Sequence, residues 1–189
     1  MPAEIAVRRI RVEEWERLRV IRLHALADTP MAFGSTLADE QARPDEFWYG
    51  RAAGGAVDDD RATFIAEHDG TWVGISTCVL EAGGTGERPA WVFGMWVDPA
   101  VRRQGTAQAL LRVLAGWARE RGADVLNLHV TETNAPAIAL YERLGFHATG
   151  ATEPLPHTPS VRENHMACAL EQLCSDGEPY SERSREMRV

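Results

Sequence analysis

The chain has 189 residues, 44% of them hydrophobic and 25% charged, so it is long enough to bury the core of one globular domain without disulfide or metal crosslinks. Its formal net charge of -8 at pH 7 argues against general nucleic-acid binding, which requires a basic surface, and is compatible with a cationic substrate such as an amine. No apolar run is long enough to span a membrane, and the first residues lack a signal-peptide core, so we expect a cytoplasmic protein without membrane contacts.

Neither the cysteines nor the histidines are spaced as a crosslink or a metal site would require. The cysteines, Cys78, Cys168 and Cys174, include no Cys-x-x-Cys pair, and an odd number leaves one unpaired. We therefore expect reduced thiols, with Cys78 and Cys168 filling the core because they lie in apolar, strand-like segments. The six histidines are scattered without metal-ligand spacing, so no metal site is predicted.

The N-terminal third predicts an edge strand followed by two helices. Two arginines in the opening strand favour the edge of a sheet, and Glu13 and Glu14 begin the first helix, where acidic side chains suit the helix dipole. Arg22 interrupts the apolar face of that helix, and Phe47 and Trp48 are expected to face inward on the second. The predicted bounds are 5–10 for the strand, 12–28 for the first helix, 31–45 for an extended loop, 45–52 for a short second helix and 54–61 for a connector rich in glycine and acidic residues.

Three strands follow, and a tight hairpin joins the first two. Asp69-Gly70 is a signal for a type I′ turn, which needs positive φ at both central positions. The third strand is continuously apolar, which predicts burial on both of its faces. The predicted strand bounds are 63–66, 72–80 and 91–97, with a glycine-rich loop over 82–89.

The remaining segments alternate between helix and strand. The helix that starts near Gly105 has apolar residues at helical spacing and ends before Gly122; Asn134 caps the next helix, and Gly145 ends it. The predicted bounds are 105–121 for the first of these helices, 125–130, 146–149 and 163–169 for the strands, with a proline-rich loop before the last strand and a polar, flexible tail over 171–189. The order β-α-α-β-β-β-α-β-α-β-β predicts a mixed α/β sheet in one domain over residues 1–170.

The junction between the strand over 91–97 and the following helix has the pattern of an anion-binding site. A helix that begins directly after a strand presents unpaired backbone N–H groups at the positive end of its dipole. Gly105 and Ala107 are small enough for close approach by a phosphate, and Arg102 or Arg103 can add charge-assisted hydrogen bonds. On its own the hexapeptide is equally compatible with a solvent-exposed basic turn. Its residues are Arg102, Arg103, Gln104, Gly105, Thr106 and Ala107.

Two longer motifs place this turn in context. The first reads Val97-Asp98-Pro99-x-x-Arg102-Arg103-x-Gly105-x-Ala107-x-x-Leu110-Leu111. The second reads Asn134-x-x-Ala137-x-x-Leu140-Tyr141-x-x-x-Gly145-Phe146. Together they resemble the GNAT superfamily of N-acetyltransferases, with Arg102, Gly105 and Ala107 at the diagnostic positions of its acyl-CoA pyrophosphate loop. The resemblance implies a mixed α/β fold that binds acyl-CoA, and it does not extend to the N-terminal third or to the tail after Leu170.

The resemblance also implies roles for individual residues, with acetyl-CoA as co-substrate. The amides from Arg103 to Ala107 would hold the pyrophosphate, and Asn134 would bond the pantetheine arm, with Ala137 in the same segment. Tyr141 would be the general acid that protonates the leaving thiolate; the alternative is a core aromatic side chain whose hydroxyl is occupied. The strand backbone at Met95, Trp96 and Val97 would pair with the pantetheine arm and polarise the thioester carbonyl.

The general base is less well defined, because the strand over 91–97 contains no acidic residue. An ammonium is not a nucleophile, so the attacking amine must lose a proton. Glu81, at the end of the preceding strand, is the nearest candidate. His129 and Glu132 are further candidates, and a water chain to solvent is the alternative to all three.

The loop between the first two predicted helices is the candidate acceptor site. It contains Phe33, Ser35 and Thr36, and in the family that the motifs resemble this region often walls the acceptor pocket. Glu40 could meet a cationic amine there, and the alternative is a solvated loop carboxylate.

We therefore predict an N-acetyltransferase that moves an acetyl group from acetyl-CoA to a primary amine by direct attack in a ternary complex. Two alternatives remain open: a non-catalytic acyl-CoA-binding sensor or interaction module, and an enzyme acting on a protein N-terminus or lysine. A homodimer is possible. Walker A, nucleophile-elbow and Rossmann glycine patterns are absent from the sequence, which argues against those chemistries.

Overall fold

A single mixed sheet organises the part of the chain that the computed structural model describes, residues 5–81 and 88–174. Its strands are β1 Ala6–Arg9, β2 Arg61–His68, β3 Thr71–Leu80, β4 Ala90–Val97, β5 Val125–Thr131, β6 His147–Leu155 and β7 Thr158–Ala169. They lie in the order β1-β2-β3-β4-β5-β7-β6. Neighbouring strands are antiparallel except β4 and β5, which are parallel. The predicted mixed α/β class is confirmed.

Helices cover both faces of this sheet. Within the described ranges they are α1 Trp15–Asp28, α2 Leu37–Gln41, α3 Asp45–Val57, α4 Thr106–Glu120, α5 Ala135–Arg143 and α6 Leu170–Cys174. On one face α1 and α3 pack around Trp48, whose side chain is fully buried. On the other face α4 packs against a core that contains Phe64, Leu126 and Tyr141. None of these helices is both long and apolar enough to cross a bilayer.

Several turns and caps follow the local signals. Asp69 and Gly70 have φ values of 48° and 75°, as a type I′ hairpin requires. The Asn134 side chain accepts a hydrogen bond from the Ala137 amide at 3.3 Å and so caps α5. Gly122 follows α4 with φ 82°. These features form where predicted because each depends on residues close together in the sequence.

The connector predicted over 54–61 is wrong, because α3 continues through its glycines to Val57. Packing against β2 explains the difference. A Cβ atom at Gly55 would lie 2.5 Å from Thr63 Oγ1, so glycine allows the helix to approach the sheet closely. Arg9 then donates from Nε to the Gly55 carbonyl at 2.9 Å and fixes the helix end against β1. The extended loop predicted over 31–45 likewise contains the short helix α2.

The proline-rich loop predicted before the last strand is also wrong, since β6 and β7 extend into it and leave a turn of Pro156 and His157. The sheet order places β6 at an edge, where a proline such as Pro154 can be accommodated without losing a ladder hydrogen bond. The first four residues of the predicted flexible tail belong to α6. The rest of the tail and most of the loop predicted over 82–89 lie outside the described residues.

Two of the three cysteines lie in the core. Cys78 and Cys168 are free and buried, as predicted. Burial raises the pKa of the Cys78 thiol to about 12, so this side chain stays neutral and acts as a small apolar group. The Cys174 side chain lies outside the described part of the chain.

Candidate active site

The parallel strands β4 and β5 form a fork that opens a cavity. They pair only from Ala90 to Val92 on β4, with Leu126 to Leu128 on β5. Beyond Val92 a bulge interrupts the pairing of β4 with β3, because Gly94 and Met95 together face Ser76. Gly94 has φ 63°, a conformation that glycine adopts without strain.

The cavity inside the fork has a volume of about 870 Å³. Among its lining residues are most of the predicted cofactor site: Met95, Trp96, Val97, Arg102, Arg103, Gly105, Thr106, Ala107, Asn134, Ala137 and Tyr141. Among the described residues no strand pairs with the β5 side of β4 after Val92, and the burial predicted on both faces of β4 is incomplete. Phe93 accordingly is 48% exposed.

The start of α4 presents free donors to this cavity. The chain reaches the helix through Arg103 and Gly105, which have φ values of 63° and 88°. The first intrahelical bond joins the Ala109 amide to the Gly105 carbonyl at 2.9 Å. Within the described chain no hydrogen bond uses the amides of the three residues before Ala109, which are Thr106, Ala107 and Gln108. These amides and the positive end of the helix dipole form a candidate anion-binding site.

The two arginines of the predicted site, Arg102 and Arg103, have different environments. Arg102 donates from Nε to the Val97 carbonyl at 2.9 Å, and its guanidinium also contacts the Asp28 carboxylate. Asp28 accepts a further hydrogen bond from Trp96 Nε1 at 2.9 Å. Arg102 therefore braces the loop against the end of α1. Arg103 is exposed and without a partner among the residues described, as is Arg143, which lines the cavity from α5.

Gln104 has a structural contact of its own. Its side-chain amide donates to the Ala100 carbonyl at 3.2 Å, which closes the turn before α4. The side chain is exposed and does not line the fork cavity. Only its backbone amide therefore remains relevant to anion binding.

Tyr141 enters the cavity from α5 with an unoccupied hydroxyl. The residue is only 7% exposed, and its ring packs on Phe146 with a centroid distance of 5.6 Å. Burial raises its pKa to about 12, so the phenol is neutral throughout the physiological range. Its hydroxyl makes no hydrogen bond to the described parts of the chain. The alternative interpretation of Tyr141, as a core aromatic residue, requires a hydroxyl that already has a hydrogen-bond partner.

The three candidate bases occupy different places. Glu81 is exposed and follows β3, which runs antiparallel to β4, so it lies beside the start of β4 rather than at the fork. Glu132 is exposed too and accepts from the Arg162 amide at 3.4 Å. Neither carboxylate lines the cavity, whereas His129 does. The sheet topology thus favours His129 over the nearest acid in the sequence.

His129 is held by the Glu153 carboxylate, which lies 3.2 Å from Nδ1. Its ring lies 5.1 Å from the Trp91 ring and 5.5 Å from the His165 ring. If Nδ1 donates its hydrogen to Glu153, Nε2 carries the lone pair and can accept a proton. The sequence did not single out Glu153, Trp91 or His165, although alternating polar residues along β5 and β7 are a signal for this cluster.

Glu40 is neither solvated nor open to an amine, which corrects both expectations for it. It is 5% exposed, and its oxygens accept from Arg22 at 2.8 Å, from Ser35 Oγ at 2.5 Å and from Arg51 at 3.2 Å. Burial opposes its charge, but Arg22, with Ser35 and Arg51, outweighs burial and holds the pKa of Glu40 below its ordinary value. Thr36 caps α2.

Phe33 is buried rather than exposed to a ligand, with 4% of its surface exposed. The Arg22 guanidinium lies 4.3 Å from its ring centroid, and its carbonyl lies 2.8 Å from His157 Nε2. The neighbouring residues Thr29 and Ala32 line the cavity instead. The segment from Thr29 to Phe33 therefore forms one wall of the cavity, with Phe33 behind the surface.

Comparisons with known proteins show the family to which the chain is related. A family model described as "Acetyltransferase (GNAT) family" matches residues 15–146. Mycothiol acetyltransferase of Thermomonospora curvata is 34% identical over 122 residues, which are 65% of this chain and 37% of that protein. The ribosomal protein bS18 alanine N-acetyltransferase of Escherichia coli K12 is 41% identical over 81 residues, 43% of this chain and 55% of that enzyme. The chain spans between 37% and 47% of the length of four mycothiol acetyltransferases, including the one from Thermomonospora curvata.

Solved structures show the same fold. A GNAT-family acetyltransferase from Streptococcus pneumoniae superposes with a TM-score of 0.73 at 20% identity, covering 88% of this chain and 99% of that one. The yncA protein of Salmonella typhimurium, solved with its cofactor acetyl-CoA, gives a TM-score of 0.68 at 19% identity over 95% of this chain and 99% of that one.

Proposed function

The chain belongs to the acetyltransferase (GNAT) family, and we propose that it transfers an acetyl group from acetyl-CoA to a primary amine by direct attack in a ternary complex. One observation carries this proposal. A single cavity is lined by the free amides at the start of α4, by the neutral phenol of Tyr141 and by His129. These are an anion site, a proton donor and a proton acceptor within one fork of the sheet.

The start of α4 is suited to a diphosphate. The amides of Thr106, Ala107 and Gln108 have no other use in the described chain, and an added Cβ at Gly105 would meet nothing within 4 Å. A hydrogen bond to a charged group contributes about 1.5–3 kcal/mol, so a few such amides hold a pyrophosphate firmly. Arg103 and Arg143 add positive charge at the rim of the same cavity.

The exposed edge of β4 would position the acyl end. When bound, acetyl-CoA supplies a thioester, an activated acyl group. Backbone groups of β4 between Gly94 and Val97 that would otherwise bond β5 have no strand partner, since pairing stops at Val92. They can hydrogen-bond the pantetheine arm and polarise the acyl carbonyl.

Tyr141 is the proposed proton donor to the leaving sulfur. A free thiol has a pKa of about 8.5, so full transfer from a phenol near 12 is opposed by roughly 3.5 units, or about 5 kcal/mol. The same apolar surroundings raise the pKa of the leaving thiol and narrow this difference. Tyr141 therefore acts first by donating a hydrogen bond to the sulfur as charge develops there.

His129 is the proposed proton acceptor for the amine. Its Nδ1 is directed at Glu153, which leaves Nε2 to take the proton that an ammonium must lose before attack. Glu153 also stabilises the imidazolium that results. This pair replaces the acidic residue that β4 lacks.

The proposal is tested by binding and turnover on the same preparation. Titration with acetyl-CoA should change tryptophan fluorescence, because Trp96 lines the cavity, and thiol release should follow with at least one amine from a panel that includes a peptide with N-terminal alanine. Binding without release of thiol with any amine would instead support an acyl-CoA-binding module.

Ala107→Glu should weaken the binding of acetyl-CoA at least a hundredfold, because the new carboxylate would occupy the anion site. The matched control is Ala139→Glu, at an exposed position of α5 outside the cavity.

A further inference from the structure

A group of polar side chains projects from the face of the sheet that carries His129. In the registers of β5, β7 and β6, His129 lies opposite His165, Thr131 opposite Glu163, and Glu163 opposite Glu153. Directly opposed residues project to the same face of a sheet, as do residues two apart on one strand. Glu163 therefore shares a face with His129, and it lies next to the cavity rather than in its lining, which includes its partner in register, Thr131.

Glu163 is buried without a partner. It is only 9% exposed, yet its carboxylate makes no hydrogen bond or ion pair with the described part of the chain. Burial and the charge of Glu153 raise its pKa, although His129 and His157 oppose the shift. The carboxylate oxygens keep some accessible surface, so they are open to a ligand or to water rather than sealed in the core.

The nearby histidines do not provide the missing partner. His157 has both ring nitrogens in contacts, with Thr158 Oγ1 at 3.0 Å and the Phe33 carbonyl at 2.8 Å. The ring nitrogens of His165 lie 3.0 Å from Thr149 Oγ1 and 3.0 Å from Asn127 Oδ1. His129 uses Nδ1 for Glu153.

Aromatic side chains of β4 project from the same face of the sheet as His129 and Glu163. The Trp91 ring stacks on the His165 ring at 5.0 Å, and Phe93, two residues further along β4, is 48% exposed. Carboxylates and accessible aromatic rings on one face of the sheet are the kinds of group that bind an organic cation. The net charge of -8 favours the approach of such a ligand.

We propose that Glu163 binds a second positive charge on the acceptor, so that the preferred substrates are amines with another cationic group a few bonds from the reacting nitrogen. The reasoning rests on the proposed acetyl transfer. A carboxylate that held the reacting nitrogen itself would stabilise its ammonium form and oppose attack. A second cationic group keeps its charge throughout the reaction. Its ion pair with Glu163 therefore holds the acceptor in an orientation that directs the reacting nitrogen towards His129.

The test compares Glu163→Gln with the unaltered chain on linear α,ω-diamines, each matched with the n-alkylamine of the same length. We expect KM for the diamines to rise at least tenfold with little change in kcat, while KM for the monoamines and for acetyl-CoA stays the same. Glu13→Gln, at an exposed residue that precedes α1 and does not line the cavity, makes the same change in net charge and should alter nothing.

Two results would overturn the inference. One is an equal loss of activity with diamines and with monoamines. If that loss is in kcat and the pH profile changes, Glu163 acts as a base instead of a cation-binding group. The other is a diamine preference that Glu163→Gln leaves intact. Calorimetric titration of the same diamines into the protein with coenzyme A measures binding without turnover. Diamine binding that depends on Glu163 in a protein that releases no thiol would contradict the transfer reaction and leave the cation site standing.

Discussion

Two glutamates that are largely buried have opposite environments. Glu40 is 5% exposed and accepts hydrogen bonds from Arg22, Ser35 and Arg51, so its pKa is lowered. Glu163 is 9% exposed and unpaired within the described chain, so its pKa is raised. Burial alone therefore does not reveal the role of an ionisable group. Partners already present indicate a structural role for Glu40, whereas we propose that the open carboxylate of Glu163 binds a ligand.

Tyr141 extends the comparison to a third buried ionisable group. Like Glu163, it has a raised pKa and a polar atom without a partner in the described residues. Substitutions at the three positions should therefore differ in kind: at Glu40 they should affect stability, and at Tyr141 and Glu163 they should affect function.

The largest effect is expected for Glu40→Gln. Removing one member of a buried ion pair leaves Arg22 and Arg51 without compensation and should lower the free energy of unfolding by about 3–5 kcal/mol. Denaturant unfolding measures the change, with Asp39→Asn as an exposed neighbour that should alter it by less than about 0.5 kcal/mol. The pKa of Glu40 is lower in the folded state than in the unfolded state. Its contribution to the free energy of unfolding is therefore fully present above the unfolded-state pKa, and it is lost as pH falls through the folded-state pKa. Equal stability of the two variants at pH 7 would contradict the structural role.

Tyr141→Phe should have a smaller effect, and in function rather than stability. We expect kcat to fall about a hundredfold, equivalent to about 2.7 kcal/mol, while the dissociation constant of acetyl-CoA is nearly unchanged. Stability should not fall, since the hydroxyl has no partner to lose in the described chain. Tyr49→Phe removes an exposed hydroxyl on α3 and serves as the control. Unchanged turnover would remove Tyr141 from the reaction.

The smallest effect is expected in the stability of Glu163→Gln. A raised folded pKa means that the native state holds this proton more tightly than the unfolded state, so stability falls as pH rises from the ordinary value of 4.5 through the folded value. Glutamine has no such titration. The variant should therefore melt on the order of 1–2 °C higher than the unaltered chain at pH 7 and equally at pH 3. A lower melting temperature at pH 7 would mean that the carboxylate has a stabilising partner.

The donor half of the site could be predicted from the sequence because it is local. The loop before α4 and the Asn134 cap each lie within a few consecutive residues, where a motif fixes both geometry and chemistry. The same holds for the turn at Asp69 and Gly70. The packing that turns Gly55 into a helical residue depends on Thr63 across the sheet, and no local pattern indicates it.

The acceptor half could not be predicted in the same way, because strand register assembles it. Glu153, Glu163 and His129 come from three strands, and the pairing of β5 with β7 and of β6 with β7 brings them together. Proximity in the sequence favoured Glu81 as the general base. Because β3 runs antiparallel to β4, Glu81 lies beside the start of β4 and away from the fork. The ion pairs of Glu40 could not be predicted either, because its arginine partners lie on α1 and α3.

The Arg102 brace has a consequence for how the two substrates influence each other. Through Asp28 it joins the loop that leads into α4 to the last turn of α1, and Thr29, next along the chain, lines the cavity. Under the proposed function, we expect a shift of this loop on nucleotide binding to be transmitted to the wall formed by Thr29. Such a link would couple the affinities of the two substrates.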